Sequence, residues 1–208
     1  MTNFEQFSNM MNRYLEERGY AVQLEADISK LSQSTEEETP LCRSKLKAIN
    51  MDVFAKRAYR KIILPDSKTE DDAINTADAF LINRDNDWYF IEFKDAKLGN
   101  AKASVLKKAY SNVYAVLDIL YAMQRTKARY DGFDYENPVE FMRQNVTYVL
   151  VFSAAKNPQH VIQLKNHQLK GEKYLPGFME RLPGYIYKDA YAMTEINFDG
   201  RFAKQLTY

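Results

Sequence analysis

The chain has 208 residues, of which 46% are hydrophobic and 27% charged, and its formal net charge is +1. These values suit one globular domain over residues 1–208 and exclude a collagenous, linker-rich or strongly basic chain. The single cysteine, Cys42, excludes an intramolecular disulfide, and no apolar run approaches the roughly 20 residues of a membrane span. We therefore expect a cytoplasmic protein with no membrane partner.

The first part of the chain predicts a helix followed by a loop. Apolar residues recur at helical spacing from Phe4 onwards, which predicts an amphipathic helix that ends near Gly19. The polar run over residues 32–40 lacks periodicity and predicts a mobile loop. For residues 41–64, a helix and a strand at residues 62–64 both fit the pattern.

Residues 78–94 give the clearest pattern, that of a β-hairpin. A short apolar strand over residues 77–82 is followed by the turn residues 85–87 and by an aromatic-rich strand over residues 88–94. Both faces of this hairpin are apolar along much of its length, which favours a central position in a sheet.

The remaining elements complete an α/β domain. Residues 101–129 predict a long helix with a broad apolar stripe, and residues 146–152 predict a buried strand. A helix or loop up to Lys170 and a late strand over residues 185–196 follow. The order of elements predicts a central mixed β-sheet flanked by helices.

The hairpin brings three charged residues together. With the turn centred on Asn86, Asp78 lies opposite Lys94, and Phe80 lies opposite Glu92. Directly opposed residues share a face of the sheet, as do residues two apart on one strand, so Asp78, Glu92 and Lys94 converge at one end of the hairpin.

This convergence suits metal-dependent phosphodiester hydrolysis. Two carboxylates can hold Mg²⁺ or Mn²⁺, the metal can activate a water, and the lysine can orient that water or offset charge on the phosphate. The plain alternative is a Glu–Lys ion pair on an alternating strand, because a Glu-x-Lys sequence is common. The apolar surroundings favour the metal site, since buried charges need partners.

These residues resemble the PD-(D/E)XK nuclease superfamily, which has the restriction-endonuclease-like fold. Ala77-Asp78 and Glu92-Phe93-Lys94 match its pattern, and the element order from Phe4 to about Phe152 is similar to the family core. The resemblance implies a metal-dependent nuclease, with DNA rather than RNA as the expected substrate and with defence, repair or a mobile element as its setting. It also implies Asp78 and Glu92 as metal ligands and Lys94 as the catalytic lysine.

The chain departs from the family pattern in ways that keep alternatives open. Ala77 replaces the nominal proline, and Glu17 is the better candidate for the carboxylate that some members place on the first helix. The helix after Lys94 lacks the glutamine of exonuclease-like members, which favours an endonuclease. Because the superfamily includes inactive members, a nuclease-like fold that only binds nucleic acid or protein is the alternative function.

Basic residues around the hairpin are candidates for holding the nucleic-acid backbone, with a solvated helix face as the alternative. They are Arg43, Lys45, Lys47, Lys56, Arg57, Arg60, Lys97, Lys107 and Lys108. Tyr110, Tyr114 and Tyr121 fall at helical spacing, which favours core or interface packing over base stacking. The sequence leaves open whether the chain forms a homodimer.

Overall fold

The computed structural model describes residues 1–33, 38–63 and 74–206, with the backbone alone at Arg57, Ala58, Lys61 and Ile63. Its strands are β1 (Glu25–Asp27), β2 (Lys47–Asn50), β3 (Ala79–Ile82), β4 (Trp88–Lys94), β5 (Val146–Phe152) and β6 (Asp189–Thr194). Its α-helices are α1 (Asn3–Glu16), α2 (Ile28–Leu31), α3 (Met51–Val53), α4 (Arg60–Ile63), α5 (Leu98–Met123), α6 (Pro138–Asn145), α7 (Pro158–Leu169), α8 (Glu195–Asn197) and α9 (Ala203–Gln205). A π-helical turn joins α3 to α4, and a second one joins α8 to α9.

The six strands form one mixed sheet in the order β1-β2-β3-β4-β5-β6. The first four strands are antiparallel neighbours, whereas β4, β5 and β6 run parallel to one another. The parallel pairs require crossover connections, which α5 and α7 provide. The structure thus confirms the mixed α/β sheet with flanking helices and the central position of the predicted hairpin.

The first helix forms for reasons that are visible in the sequence. Thr2 and Glu5 make a reciprocal capping box, in which the Thr2 hydroxyl accepts from the Glu5 N–H and the Glu5 carboxylate accepts from the Thr2 N–H. Phe7 of α1 packs against Phe80 and Trp88, with ring centroids 5.3 and 5.4 Å apart. The predicted amphipathic helix is confirmed, and its apolar stripe covers one face of the hairpin.

The hairpin register differs from the prediction. Ala79 pairs with Ile91 and Phe80 pairs with Phe90, so the strands are offset by two residues from a turn centred on Asn86. The turn closes instead with the Asn83 N–H donating to the Asp87 carbonyl, and Asn86 adopts a positive φ of 61°. A slip of two residues leaves each side chain on its predicted face, since the side-chain period of a strand is two.

Helices cover both faces of the sheet. On the face that carries Phe90, the long helix α5 receives a hydrogen bond at its Ala109 carbonyl from the buried Tyr187 hydroxyl, 2.6 Å away. On the opposite face, the C-terminal helical segment packs Phe202 against Tyr89 and Phe198 against Phe93. The strands at the centre are therefore buried on both sides, as their continuous apolar sequences indicate.

Several predicted boundaries need correction. The long helix spans Leu98–Met123 rather than residues 101–129, and residues 41–63 contain β2 followed by helix, so the strand at residues 62–64 is wrong where it is described. The predicted loop at residues 32–40 lies partly outside the described residues. No described helix is both long enough and apolar enough to cross a bilayer.

Candidate active site

Asp78 and Glu92 meet at the end of the hairpin far from its turn. The Asp78 N–H donates to the Ile91 carbonyl (3.1 Å), and the Phe93 N–H donates to Asp78 Oδ2 (2.7 Å). These two bonds hold Asp78 beside residues 91–93 of β4, whereas the prediction had set it opposite Lys94. The two carboxylates share the face that is covered by α5.

Two lysines complete the cluster. Lys94 Nζ lies 2.6 Å from Glu92 Oε1. Lys108, which α5 supplies, places Nζ 2.9 Å from Asp78 Oδ1 and 3.0 Å from Glu92. The site therefore holds two carboxylates and two ammonium groups, and its formal charge is zero.

Burial makes this cluster unusual for charged groups. The Glu92 side chain is fully buried, and those of Lys108, Lys94 and Asp78 are 14%, 18% and 19% exposed. Glu92 Oε1 has both lysines nearby but accepts no well-aligned hydrogen bond. The charge of this buried carboxylate is therefore compensated mainly by the two ammonium groups.

The proton affinities reflect the burial. Burial and then the charge of Asp78 raise the pKa of Glu92 to about 7, against the opposing effects of Lys108 and Lys94. Burial likewise raises the pKa of Asp78, although Lys108 and the Phe93 N–H act against it. Burial alone would lower the pKa of Lys108, but Glu92 and Asp78 raise it above its usual value. Lys108 is therefore a permanent cation between the two carboxyls.

The segment before β3 is held in place by buried hydrogen bonds. The Ala77 N–H donates to Asn112 Oδ1 on α5 (2.7 Å), and the Thr76 hydroxyl donates to the Met51 carbonyl (3.0 Å). The Met51 N–H in turn donates to the Asp78 carbonyl (3.2 Å). These contacts tie the Asp78 backbone to α5 and to the start of α3, so the carboxylate is positioned by rigid elements.

The donor set fits a hard divalent cation in part. Asp78 and Glu92 offer carboxylate oxygens around one point, and Mg²⁺ accepts such a pair because it keeps several waters. Within residues 1–33, 38–63 and 74–206, no group of three or more metal-binding side chains occurs. Glu17 therefore does not join the pair; it lies exposed at the end of α1 and forms an ion pair with Arg13 at 3.1 Å.

The predicted basic block does not form one surface. Lys45 and Lys47 lie at the start of β2, whereas Asn50 at its other end pairs with Ala79 next to the site. Arg43 lies on the Lys45 side, where its backbone N–H donates to Asp199. These three residues thus stand away from Asp78 and Glu92.

The other basic residues divide between the two helical segments. Lys56 forms an ion pair with Asp52 at 3.5 Å, Arg60 begins α4, and the side chain of Arg57 lies outside the described part. Lys97 and Lys107 are exposed at the start and along the outer side of α5.

The structure corrects the predicted position of Lys108. It was expected to contact phosphates from an exposed helix face, but it reaches into the carboxylate pair. Its position in the sequence indicates that it can face inward, since the buried residues Val105 and Asn112 lie three and four positions away on α5. A lysine at the edge of a buried stripe can extend its ammonium group to charges beneath the helix.

The tyrosine stripe on α5 also differs from expectation. Tyr110, Tyr114 and Tyr121 are 42%, 65% and 70% exposed, so packing in the core is wrong for them.

Comparison with known proteins does not assign this chain to a family. No family model, curated protein or solved structure matches the chain. The chemistry of the cluster therefore has to support any assignment by itself.

Proposed function

We propose that the chain is a nuclease that uses Mg²⁺ or Mn²⁺ to hydrolyse phosphodiester bonds, with DNA as the expected substrate. The observation that carries the proposal is the meeting of Asp78 and Glu92 beside Lys94 at one end of the hairpin. A fully buried glutamate needs compensating charges, and two carboxylates that meet at one point are useful as metal ligands.

The arrangement of elements supports the same proposal. A helix, an antiparallel meander of three strands, a second helix and a parallel strand occur in the order α1, β2-β3-β4, α5 and β5. Additional elements separate them: β1 and α2 precede β2, α3 and α4 lie between β2 and β3, and α6 precedes β5. This order is similar to the core of the restriction-endonuclease-like fold. In that comparison the carboxylates fall on the second and third strands of the meander, where Asp78 and Glu92 stand.

Each side chain would have a distinct role. Asp78 and Glu92 would hold the cation, which when bound would polarise the scissile phosphate and lower the pKa of a coordinated water. Lys94 would orient the attacking water and offset negative charge on the phosphate. The water oxygen would give up a proton to solvent and bond to phosphorus as the ester P–O bond breaks, and the leaving oxygen would take a proton from solvent.

The test is metal-dependent cleavage of supercoiled and linear DNA by the purified chain. Cleavage should require Mg²⁺ or Mn²⁺ and should fall by at least about a hundredfold in Glu92→Gln, because loss of a ligand removes charge stabilisation in the transition state. Glu136→Gln provides the matched control, since Glu136 is exposed and lies outside the cluster. Equal cleavage by Glu92→Gln and the control would refute the assignment of the site.

One observation favours a second function, that of a binding module without catalysis. Lys108 Nζ stands within hydrogen-bonding distance of both carboxylates, so the cluster is already neutral without a metal. A chain that binds DNA with no affinity for divalent cations, and whose binding survives Asp78→Ala, would belong to this second class.

A further inference from the structure

Lys108 links the outer side of α5 to the buried carboxylates. It follows the exposed Lys107 directly, and its own side chain is 14% exposed. Its Nζ lies 2.9 Å from Asp78 Oδ1 and 3.0 Å from Glu92, so the two proposed metal ligands hold the same ammonium group. Lys94 contacts Glu92, whereas Lys108 bridges both carboxylates and therefore stands where a shared cation would bind.

A divalent cation and this bridging ammonium group exclude each other. The ligand oxygens of Mg²⁺ stand about 2.1 Å from the ion, so an ion on Asp78 Oδ1 would lie within about 5 Å of the Lys108 Nζ that contacts the same oxygen. Both would also share the fully buried Glu92. Like charges at such a distance repel strongly because burial lowers the effective dielectric constant. Binding of the cation should therefore release Lys108.

The released ammonium group needs a new anionic partner. Among residues 1–33, 38–63 and 74–206, the ion pairs of Lys108 are those with Asp78 and Glu92. In the proposed reaction a phosphate is bound next to these carboxylates, within reach of the same flexible stem. A lysine ammonium group suits a single phosphate oxygen because its three donors rotate freely. The phosphate of a bound strand can therefore replace the carboxylates as its partner.

We propose that Lys108 couples cation binding to DNA binding. In the cation-free chain it closes the carboxylate pair, and once displaced it holds a phosphate of the bound strand. This inference rests on the proposed nuclease function. Such coupling is reciprocal: the cation tightens DNA binding by the same factor by which DNA tightens cation binding.

The first experiment measures the affinity of the full chain for a short DNA duplex by fluorescence anisotropy, without divalent cations and with saturating Ca²⁺, at several salt concentrations. Ca²⁺ also takes oxygen ligands, and a gel of the recovered duplex shows whether it is intact. Ca²⁺ should tighten binding about tenfold more in the original chain than in Lys108→Met, because only the original chain gains a charge-assisted contact. With Ca²⁺, the salt dependence should be steeper in the original chain by about one phosphate contact; without Ca²⁺, it should be equal in both.

Lys127→Met is the matched control and should behave as the original chain does. Lys127 is exposed and follows the C-terminal end of α5, more than about 20 Å along the helix from Lys108.

A second experiment needs no substitution. Lysines of the original chain are acetylated and the labelled peptides are quantified by mass spectrometry. Lys108 should be labelled slowly without cation, severalfold faster with Ca²⁺, and slowly again with Ca²⁺ and the duplex. Lys127 should be labelled equally in all three states. Circular dichroism shows whether Lys108→Met has folded, and the labelling test holds in either case.

Equal salt dependences of Lys108→Met and Lys127→Met in Ca²⁺ would overturn the coupling, as would a labelling rate of Lys108 that Ca²⁺ leaves unchanged. If cleavage still requires Mn²⁺ and Glu92, either result refutes the coupling alone. If divalent cations change neither DNA binding nor cleavage, the coupling and the proposed nuclease function fail together.

Discussion

Replacing Lys108 with methionine should convert the cluster into a stronger metal site. The ammonium group contacts both carboxylates, at 2.9 Å from Asp78 Oδ1 and 3.0 Å from Glu92. Each contact corresponds to about 5.5 kcal/mol of attraction at an effective dielectric constant of 20, but most of this is offset by the hydration that the displaced group regains. If about 1.4 to 2.8 kcal/mol remains, Mn²⁺ should bind tenfold to a hundredfold more tightly to Lys108→Met than to the original chain.

Isothermal titration with Mn²⁺ measures this difference, and Lys107→Met serves as the control because Lys107 is the exposed neighbour on the same helix. Without metal, Lys108→Met should also lose about 3 kcal/mol of stability, since two buried carboxylates keep only Lys94 as a counter-charge. Saturating Mn²⁺ should restore much of that loss. Equal Mn²⁺ affinities for Lys108→Met and Lys107→Met would refute the idea that Lys108 stands at the cation position.

Three further predictions follow from particular contacts. Mn²⁺ affinity should rise with pH up to about 7 and then level off, because Glu92 must lose its proton. Without metal, stability should fall as the pH rises from 4.5 to about 7, because the folded state binds the Glu92 proton more tightly than the unfolded state; Glu92→Gln should reduce both trends in titrations and urea melts to the smaller part that comes from the raised pKa of Asp78. Asn86→Ala should cost about 3 kcal/mol in urea denaturation, since it loses three side-chain hydrogen bonds and strains a positive φ, and Asn86→Gly should cost about 1 kcal/mol less; equal losses would contradict the strain. Lys97→Gln should weaken DNA binding and reduce its salt dependence by about one charge, whereas Lys45→Gln, two residues before β2, should not; a larger effect of Lys45→Gln in filter binding would contradict a DNA path along the start of α5.

The hairpin was predictable because two local patterns agree on it. Short apolar strands flank a polar turn, and the side-chain alternation puts Asp78, Glu92 and Lys94 on one face for any even offset of the strands. The register itself was not predictable, because no local pattern places the centre of the turn at Asp85 rather than at Asn86. Its side chain instead binds Trp88 and Tyr130 from a left-handed position near the end of the loop.

Strands of three or four residues could not be predicted, for a different reason. β1 and β2 are too short to show periodicity, and charged residues such as Lys47 and Asp27 interrupt them. β2 forms because β3 offers a partner edge, and β1 forms on the edge of β2, which is a tertiary effect. The basic residues around β2 consequently looked like one block in the sequence, although the turn into helix at Met51 separates them in space.

The inward position of Lys108 also depends on tertiary contacts and could not be predicted. The sequence places it on α5 beside Lys107, and only the packing of that helix over β4 decides which of the two lysines faces inward. A partner that is contributed by long-range packing has no local signature, whereas a pair of residues on one strand does. The carboxylates were therefore found from sequence, and the cation between them was not.

The central claim is tested most directly by crystals of the protein soaked with Mn²⁺ and measured at a wavelength where manganese scatters anomalously. We expect one strong anomalous peak at coordination distance, about 2.1 Å, from carboxylate oxygens of Asp78 and Glu92, with the Lys108 ammonium group moved away. An anomalous map without a peak at this pair, with Lys108 still bridging the two carboxylates, would contradict it.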